Sequence, residues 1–266
     1  HVHETSIVNS DYLYENLKCN VNLNRASLAV GSLGGGNHFI ELDKGKDGYY
    51  LCIHSGSRYF GKQIADYYQR LAKKNNELKK RQKEALIQRL KAEGRHLEIS
   101  KELAKLKAPK GCTYLTGPEF DAYINDMKIA QAYAKLNRLT MARIITVKMG
   151  WEVLDEFDVI HNYIDTESLI MRKGAISAQK GQKVAIPINM RDGVIIGIGK
   201  GNKEWNYSAP HGAGRLMSRA EAKKTISLED YQKTMERIYS TSVNAATIDE
   251  APMAYKPIKE ILSQIH

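Results

Sequence analysis

Four of the eight histidines in this 266-residue chain sit where an imidazole could do chemistry. His211 lies between Pro210, which stops regular structure, and Gly212-Ala213-Gly214, which lets a backbone approach a ligand closely. Arg215 and Arg219 follow at a spacing of four, and a helix beginning near Gly214 would put them on one face. Histidine can act as nucleophile, acid/base or metal ligand, and arginine is the usual fork for phosphate. The stretch suits phosphoryl or nucleotidyl transfer; its bland alternative is a capped turn around a satisfied histidine.

The same grammar recurs at three more places. Gly34-Gly35-Gly36-Asn37-His38-Phe39-Ile40-Glu41 is a glycine run ending in Asn-His and then Glu. His54-Ser55-Gly56-Ser57-Arg58 follows the apolar Leu51-Cys52-Ile53, and His161-Asn162 follows Val159-Ile160. Imidazoles on separate strand ends can converge on one metal. A His-rich set suits Mn, Zn, Fe or Ni, and composition does not choose among them. His1, His3 and His266 lie at the chain ends and His96 in a charged segment; none is assigned chemistry. The glycine run does not match Gly-x-Gly-x-x-Gly and no strand–helix unit surrounds it, which excludes a Rossmann reading.

Taken in order, these motifs resemble the RtcB family of RNA-splicing ligases. The resemblance runs from about Leu23 to the C-terminus and includes Lys173-Gly174-Ala175-Ile176-Ser177-Ala178, Pro187-Ile188-Asn189-Met190 and Thr241-Ser242-Val243-Asn244. It implies a GTP- and Mn²⁺-dependent enzyme that joins RNA 3′-phosphate or 2′,3′-cyclic phosphate ends to 5′-hydroxyl ends. It implies that His211 is the nucleophile that becomes guanylylated, that His54 and His161 serve one metal, and that His38 serves a second. The nucleotide would be held by Asn37, His38, Glu41, His161, Asn162, Pro187, Ile188, Asn189, Met190, His211, Gly212, Ala213 and Gly214. Arg58, Arg215 and Arg219 would meet phosphate on RNA or nucleotide.

The pattern departs from the family at three points. The family's upstream Asp-x-Gly-Cys motif, which completes the two-metal site, has no match here, and neither does its C-terminal lysine. Both differences fall at the ends, so the expectation is a chain truncated at both. Members often carry Gly-Ser where this chain has Ile188-Asn189. Two other readings use the same residues: a metal-dependent RNA phosphodiesterase or cyclic phosphatase, needing the metal histidines but no nucleotide, and a non-catalytic RNA-binding fragment relying on charge.

The net charge of +10 favours a polyanionic partner, although part of it is a solvated helical surface. Three widely spaced cysteines (Cys19, Cys52, Cys112) argue against a disulfide framework. No apolar run approaches membrane-span length, so the expected setting is cytoplasmic with no membrane partner.

The elements that must position these residues read as an α+β chain forming a single mixed domain. A central β core carries the histidine loops, and a long charged helical hairpin spans about residues 62–107. Leu71, Leu78, Leu86, Leu90, Leu97 and Leu103 recur near helical spacing, with a break at Gly94-Arg95-His96. A second long helix is expected from Glu119 to about Met149, with Tyr133 and Met141 as core. A turn at Gly45–Gly48 predicts one hairpin, and Asp192-Gly193 predicts another between two buried strands. Ser227 caps a later helix, and the last helix runs from Ile258 to Ile265.

Overall fold

The computed structural model describes residues 11–105 and 113–265. His1, His3, Cys112, His266 and part of the expected 109–118 connector lie outside them. The chain is mixed α+β, as the sequence predicts, and divides into two compact units: residues 1–34 with 55–145, and residues 35–54 with 146–266.

The first unit is helical among its described residues: α1 (Leu23–Ala29), α2 (Arg58–Ala92), α3 (Ile99–Lys105) and most of α4 (Pro118–Met149). Asn22 caps α1 by accepting from the Arg25 N–H. Long unbranched side chains carry α2 through 35 residues. It ends where the sequence breaks it: Gly94 takes φ +73°, and the Arg95 N–H reaches back to the Leu90 carbonyl at 2.9 Å, a closure that leaves Leu90 fully buried. The hairpin therefore begins at Arg58, and Leu97 is almost wholly exposed rather than part of an apolar seam. The core gathers Tyr14, Phe60, Tyr68 and Tyr133, with Phe60 and Tyr133 ring centroids 4.8 Å apart. Tyr133 and Met141 are buried as expected.

The second unit holds the strands in three small antiparallel sheets. β1 (Phe39–Lys44) and β2 (Tyr49–His54) form one hairpin. β3 (His161–Ile164), β4 (Met171–Ser177) and the three-residue β7 (Ser208–Pro210) form a sheet in the order β3-β4-β7. β5 (Lys183–Asn189) and β6 (Gly193–Ile198) form the second expected hairpin. In β5 the buried positions alternate at Val184, Ile186 and Ile188 and pack with Ile176 and Ala213. Short helices α5 (Arg219–Thr225), α6 (Leu228–Thr234) and α7 (Ile258–Leu262) complete the unit. Ser227 caps α6 through the Asp230 N–H, as predicted.

A short helix lies within residues 218–227, as the sequence predicts, but none begins near Gly214, so Arg215 and Arg219 do not share a helical face. Gly214 takes φ +75°, outside helical space, and Ser218 caps α5 through the Glu221 N–H, so the helix starts at Arg219. Arg215 lies in extended backbone bridged to Tyr255. Among the described residues no helix is long and apolar enough to cross a membrane.

Candidate functional site: a row of four histidines

Each of the four singled-out histidines sits at a strand end of the second unit. His38 precedes β1, His54 closes β2, His161 opens β3 and His211 follows β7. Their rings form a row: His38 to His54 at 5.9 Å between centroids, His54 to His161 at 5.3 Å, and His161 to His211 at 5.0 Å. All four are half-buried, leaving the row partly open to solvent. Hairpin register explains the first pair, because Phe39 lies opposite His54 and stacks on it at 5.3 Å. A shift in the β3–β4 register between His161 and Tyr163, with Asn162 at φ +58°, turns His161 out of plain strand alternation.

His211 is flanked by backbone. A Cβ at Gly174 (φ +71°) would lie 3.7 Å from the His211 ring, and the Gly174 N–H donates to Asn162 Oδ1 at 2.8 Å. The loop after His211 docks on β5: the Ala213 N–H donates to the Pro187 carbonyl at 3.0 Å, and a Cβ at Gly212 would meet that same oxygen at 3.3 Å. Gly214 is exposed, and its carbonyl accepts from the Lys256 N–H at 3.1 Å.

Phe39, Glu41 and Asp43 alternate onto the more covered face of β1, opposite His54, Cys52 and Tyr50. Burial, and then the charge of Asp43, push the Glu41 carboxyl up to about 8. Asp43 abuts β6, where a Cβ at Gly193 would come within 2.9 Å of its Oδ1. Burial, with Glu41 and Asp43 beside it, pushes the Cys52 thiol up to about 12.

Among the other expected nucleotide contacts, Asn37 is exposed and Ile188 is buried core. Asn189 closes the β5–β6 turn, its Oδ1 accepting from the N–H groups of Arg191 and Asp192 at 3.0 Å each. Met190 receives the Tyr231 hydroxyl on its sulfur at 3.1 Å.

The three arginines have separate settings. Arg58 belongs to the first unit, at φ +56°, with Nε donating to Ser32 Oγ at 3.2 Å; any side chain at Gly34 would collide with its guanidinium. Arg215 donates to Tyr255 Oη at 3.1 Å and lies 3.6 Å from Glu250. Arg219 bonds Asp249 at 2.6 Å and also reaches Glu250. Burial would raise the Asp249 carboxyl, but Arg219 and Lys223 hold it below the usual carboxylate range. Asp43, Asp249, Glu250 and Tyr255 escaped the sequence reading. Only Asp43 carried a signal, two residues from Glu41 on one strand face.

The ring spacings place neighbouring imidazoles near enough to share an ion, and nitrogen donors suit several divalent metals. Among the described residues no three His, Cys, Asp or Glu side chains surround one point closely enough to hold an ion. The row alone therefore does not make a metal site.

Comparison with known proteins gives this geometry a context. Residues 9–266 match the family described as tRNA-splicing ligase RtcB. An RNA-splicing ligase RtcB of Escherichia coli (strain K12) is 34% identical over 88% of this chain and 56% of the relative. A tRNA-splicing ligase RtcB of Aeropyrum pernix is 28% identical over 91% of this chain and 56% of the relative. A tRNA-splicing ligase RtcB of Methanopyrus kandleri is 28% identical over 91% of this chain and 29% of the relative. The chain thus spans about half the length, or less, of these relatives.

Proposed function

The chain belongs to the tRNA-splicing ligase RtcB family, and from that premise we propose that it carries the nucleotidyl-transfer centre of an RNA ligase. The reading is of a GTP-dependent enzyme joining RNA 3′-phosphate or 2′,3′-cyclic phosphate ends to 5′-hydroxyl ends, with His211 as the guanylylated residue. The observation that supports it most is the row itself, which gathers four imidazoles from four strand ends, with His211 at one end beside a glycine-bearing loop.

In this reading a neutral His211 ring nitrogen attacks the α-phosphorus of GTP. The N–P bond forms, the bond to the bridging oxygen breaks, pyrophosphate leaves and the ring loses its proton. GMP then passes to the RNA 3′-phosphate, which makes it a good leaving group, and the 5′-hydroxyl displaces it. Gly174, which has no side chain, leaves the face of the His211 ring beside it open. The Pro187 carbonyl fixes the loop after it through Ala213. Glu41, neutral over much of the pH range, can donate a hydrogen bond to a base or ribose. His38, His54 and His161 would hold Mn²⁺ together with ligands from outside the present set. The metal would offset charge developing on the phosphate oxygens. Arg58, Arg215 and Arg219 are assigned to phosphate, the last two after exchanging their carboxylate partners for it.

The test is intact mass before and after incubation with GTP and Mn²⁺. A guanylyl adduct on the wild type and none on His211→Ala is the expected result. An adduct that persists on His211→Ala removes His211 as nucleophile. Metal retention without any adduct favours an RNA phosphodiesterase.

A further inference from the structure

Arg172 has no part in the chemistry above, yet its side chain is only 1% exposed. It lies on β4, the middle strand between β3, which opens with His161, and β7, which ends one residue before His211. Its guanidinium bonds to both neighbours. Toward β3, Nη1 donates to Tyr163 Oη at 3.2 Å and to Asp165 Oδ2 at 3.3 Å. Toward β7, Nε donates to Ser208 Oγ at 2.9 Å, and Nη2 donates to the carbonyls of Asn206 and Tyr207 at 3.2 and 3.4 Å.

These contacts fall where the backbone most needs holding. Asn206 and Tyr207 both take positive φ, +49° and +52°, a costly conformation for residues with a Cβ. β7 has only three residues and three pairs with β4. Opposite, Asn162 sits at φ +58° within the register shift that aims His161. A strained lead-in and an irregular strand start would not keep two imidazoles 5.0 Å apart unaided. Only a planar fork with five N–H donors can reach both sides at once; a lysine ammonium cannot.

We propose that Arg172 is a positioning residue that fixes His211 against His161, rather than a residue that touches substrate. The consequence for guanylylation rests on the reading of His211 as nucleophile; the consequence for ring geometry does not. Asp165, 24% exposed, supplies the opposing charge. The proposal makes the strained pair Asn206-Tyr207 part of the site, because the approach of His211 depends on their conformation.

The experiment compares wild-type protein, Arg172→Lys, and Arg172→Lys combined with Asn206→Gly and Tyr207→Gly. Imidazole Cε1–H resonances are assigned from single His→Ala variants, and the rate of GMP uptake and the KM for GTP are measured in parallel. In Arg172→Lys the His161 and His211 resonances should move while that of His38 stays. The rate of GMP uptake should fall roughly 10- to 100-fold, with KM for GTP within about twofold. The two glycines remove the backbone strain and should bring the His211 resonance and part of the rate back. Unmoved resonances in a folded Arg172→Lys overturn the proposal. So does a raised KM with an unchanged rate, or failure of the glycines to restore a displaced His211. If the wild type takes no GMP, the ligase reading fails, and the resonances alone still decide the positioning role.

Discussion

The two units bury polar side chains for different ends. In the first, Asp126 and Asn137 are fully buried and heavily hydrogen-bonded. Asp126 accepts from the N–H groups of Lys18 and Cys19 at 2.9 Å each, from Tyr68 Oη at 2.7 Å and from Asn125 at 3.0 Å. Asn137 accepts from the N–H groups of Gly31 and Ser32, and donates to the Ser32 and Gly56 carbonyls and to Ser55 Oγ. Both tie irregular backbone to α4, a role complete in itself. In the second unit Arg172 and Asp249 are buried in the same way, but the four histidines at strand ends stay half-buried, where a ligand can reach them. The difference separates polarity that holds a fold from polarity kept for chemistry, and each side of it can be broken by substitution.

The largest effect is expected from Asp126→Ala. It strands two backbone N–H groups and the Tyr68 hydroxyl in an apolar core, at a cost of about 3–5 kcal/mol. Urea unfolding of the purified variant measures it. A loss below about 1 kcal/mol would mean that Asp126 is not the tether described.

Next comes the pH dependence set by Glu41. Its carboxyl stands near 8 in the folded chain against an ordinary value of 4.5, so the folded state holds a proton that the unfolded state releases. That stability is fully present below about pH 4.5 and is lost as pH rises through 8. Glu41→Gln, which has no carboxyl proton to lose, should flatten the profile between about pH 4.5 and 8. A slope unchanged in the variant would assign the pH dependence elsewhere.

Arg219→Ala is expected to cost about 1 kcal/mol or less, because its side chain is 48% exposed and such pairs are screened. Thermal melts at low and high salt check this. If Arg219 serves phosphate, the same variant should weaken RNA binding more than it lowers Tm and reduce the salt dependence of that binding.

These contrasts also mark what could be read from the chain alone. Features fixed by neighbours in sequence were legible: the turn at Gly45–Gly48, the α2 stop at Gly94, the Asp192-Gly193 hairpin and the Ser227 cap all depend on residues a few positions apart. The four histidines were legible because each sits in a local motif. Arg172 was not, since its acceptors at Asn206, Tyr207 and Ser208 arrive 34 to 36 residues later by strand pairing. Nor were Asp249 and Glu250, which meet Arg215 and Arg219 at least 30 residues away. The shared helical face that a helix near Gly214 would have given Arg215 and Arg219 is absent for a local reason that spacing hides. Periodicity sees Arg215 and Arg219 four apart but not the positive φ at Gly214, nor that Ser218 is the stronger cap.

The smallest stability effect, and the sharpest test of the comparison, is His54→Ala. Its ring stacks on Phe39 at 5.3 Å and on His161 at 5.3 Å and lies 5.9 Å from the His38 ring, at the half-buried end of β2. An imidazole carries little apolar area, and pairing of Phe39 with residue 54 through the strand ladder survives the change. The expected loss is about 0.5 kcal/mol, at the low end for an aromatic pair. If the row exists for chemistry, GMP uptake should nevertheless collapse in this variant, so that a site residue costs almost nothing in urea and nearly everything in activity. Asp126→Ala should show the reverse order, with stability lost first and activity following only as the fold fails. A His54→Ala variant as unstable as Asp126→Ala would make the imidazole row a scaffold, and the distinction between the two units would collapse with it.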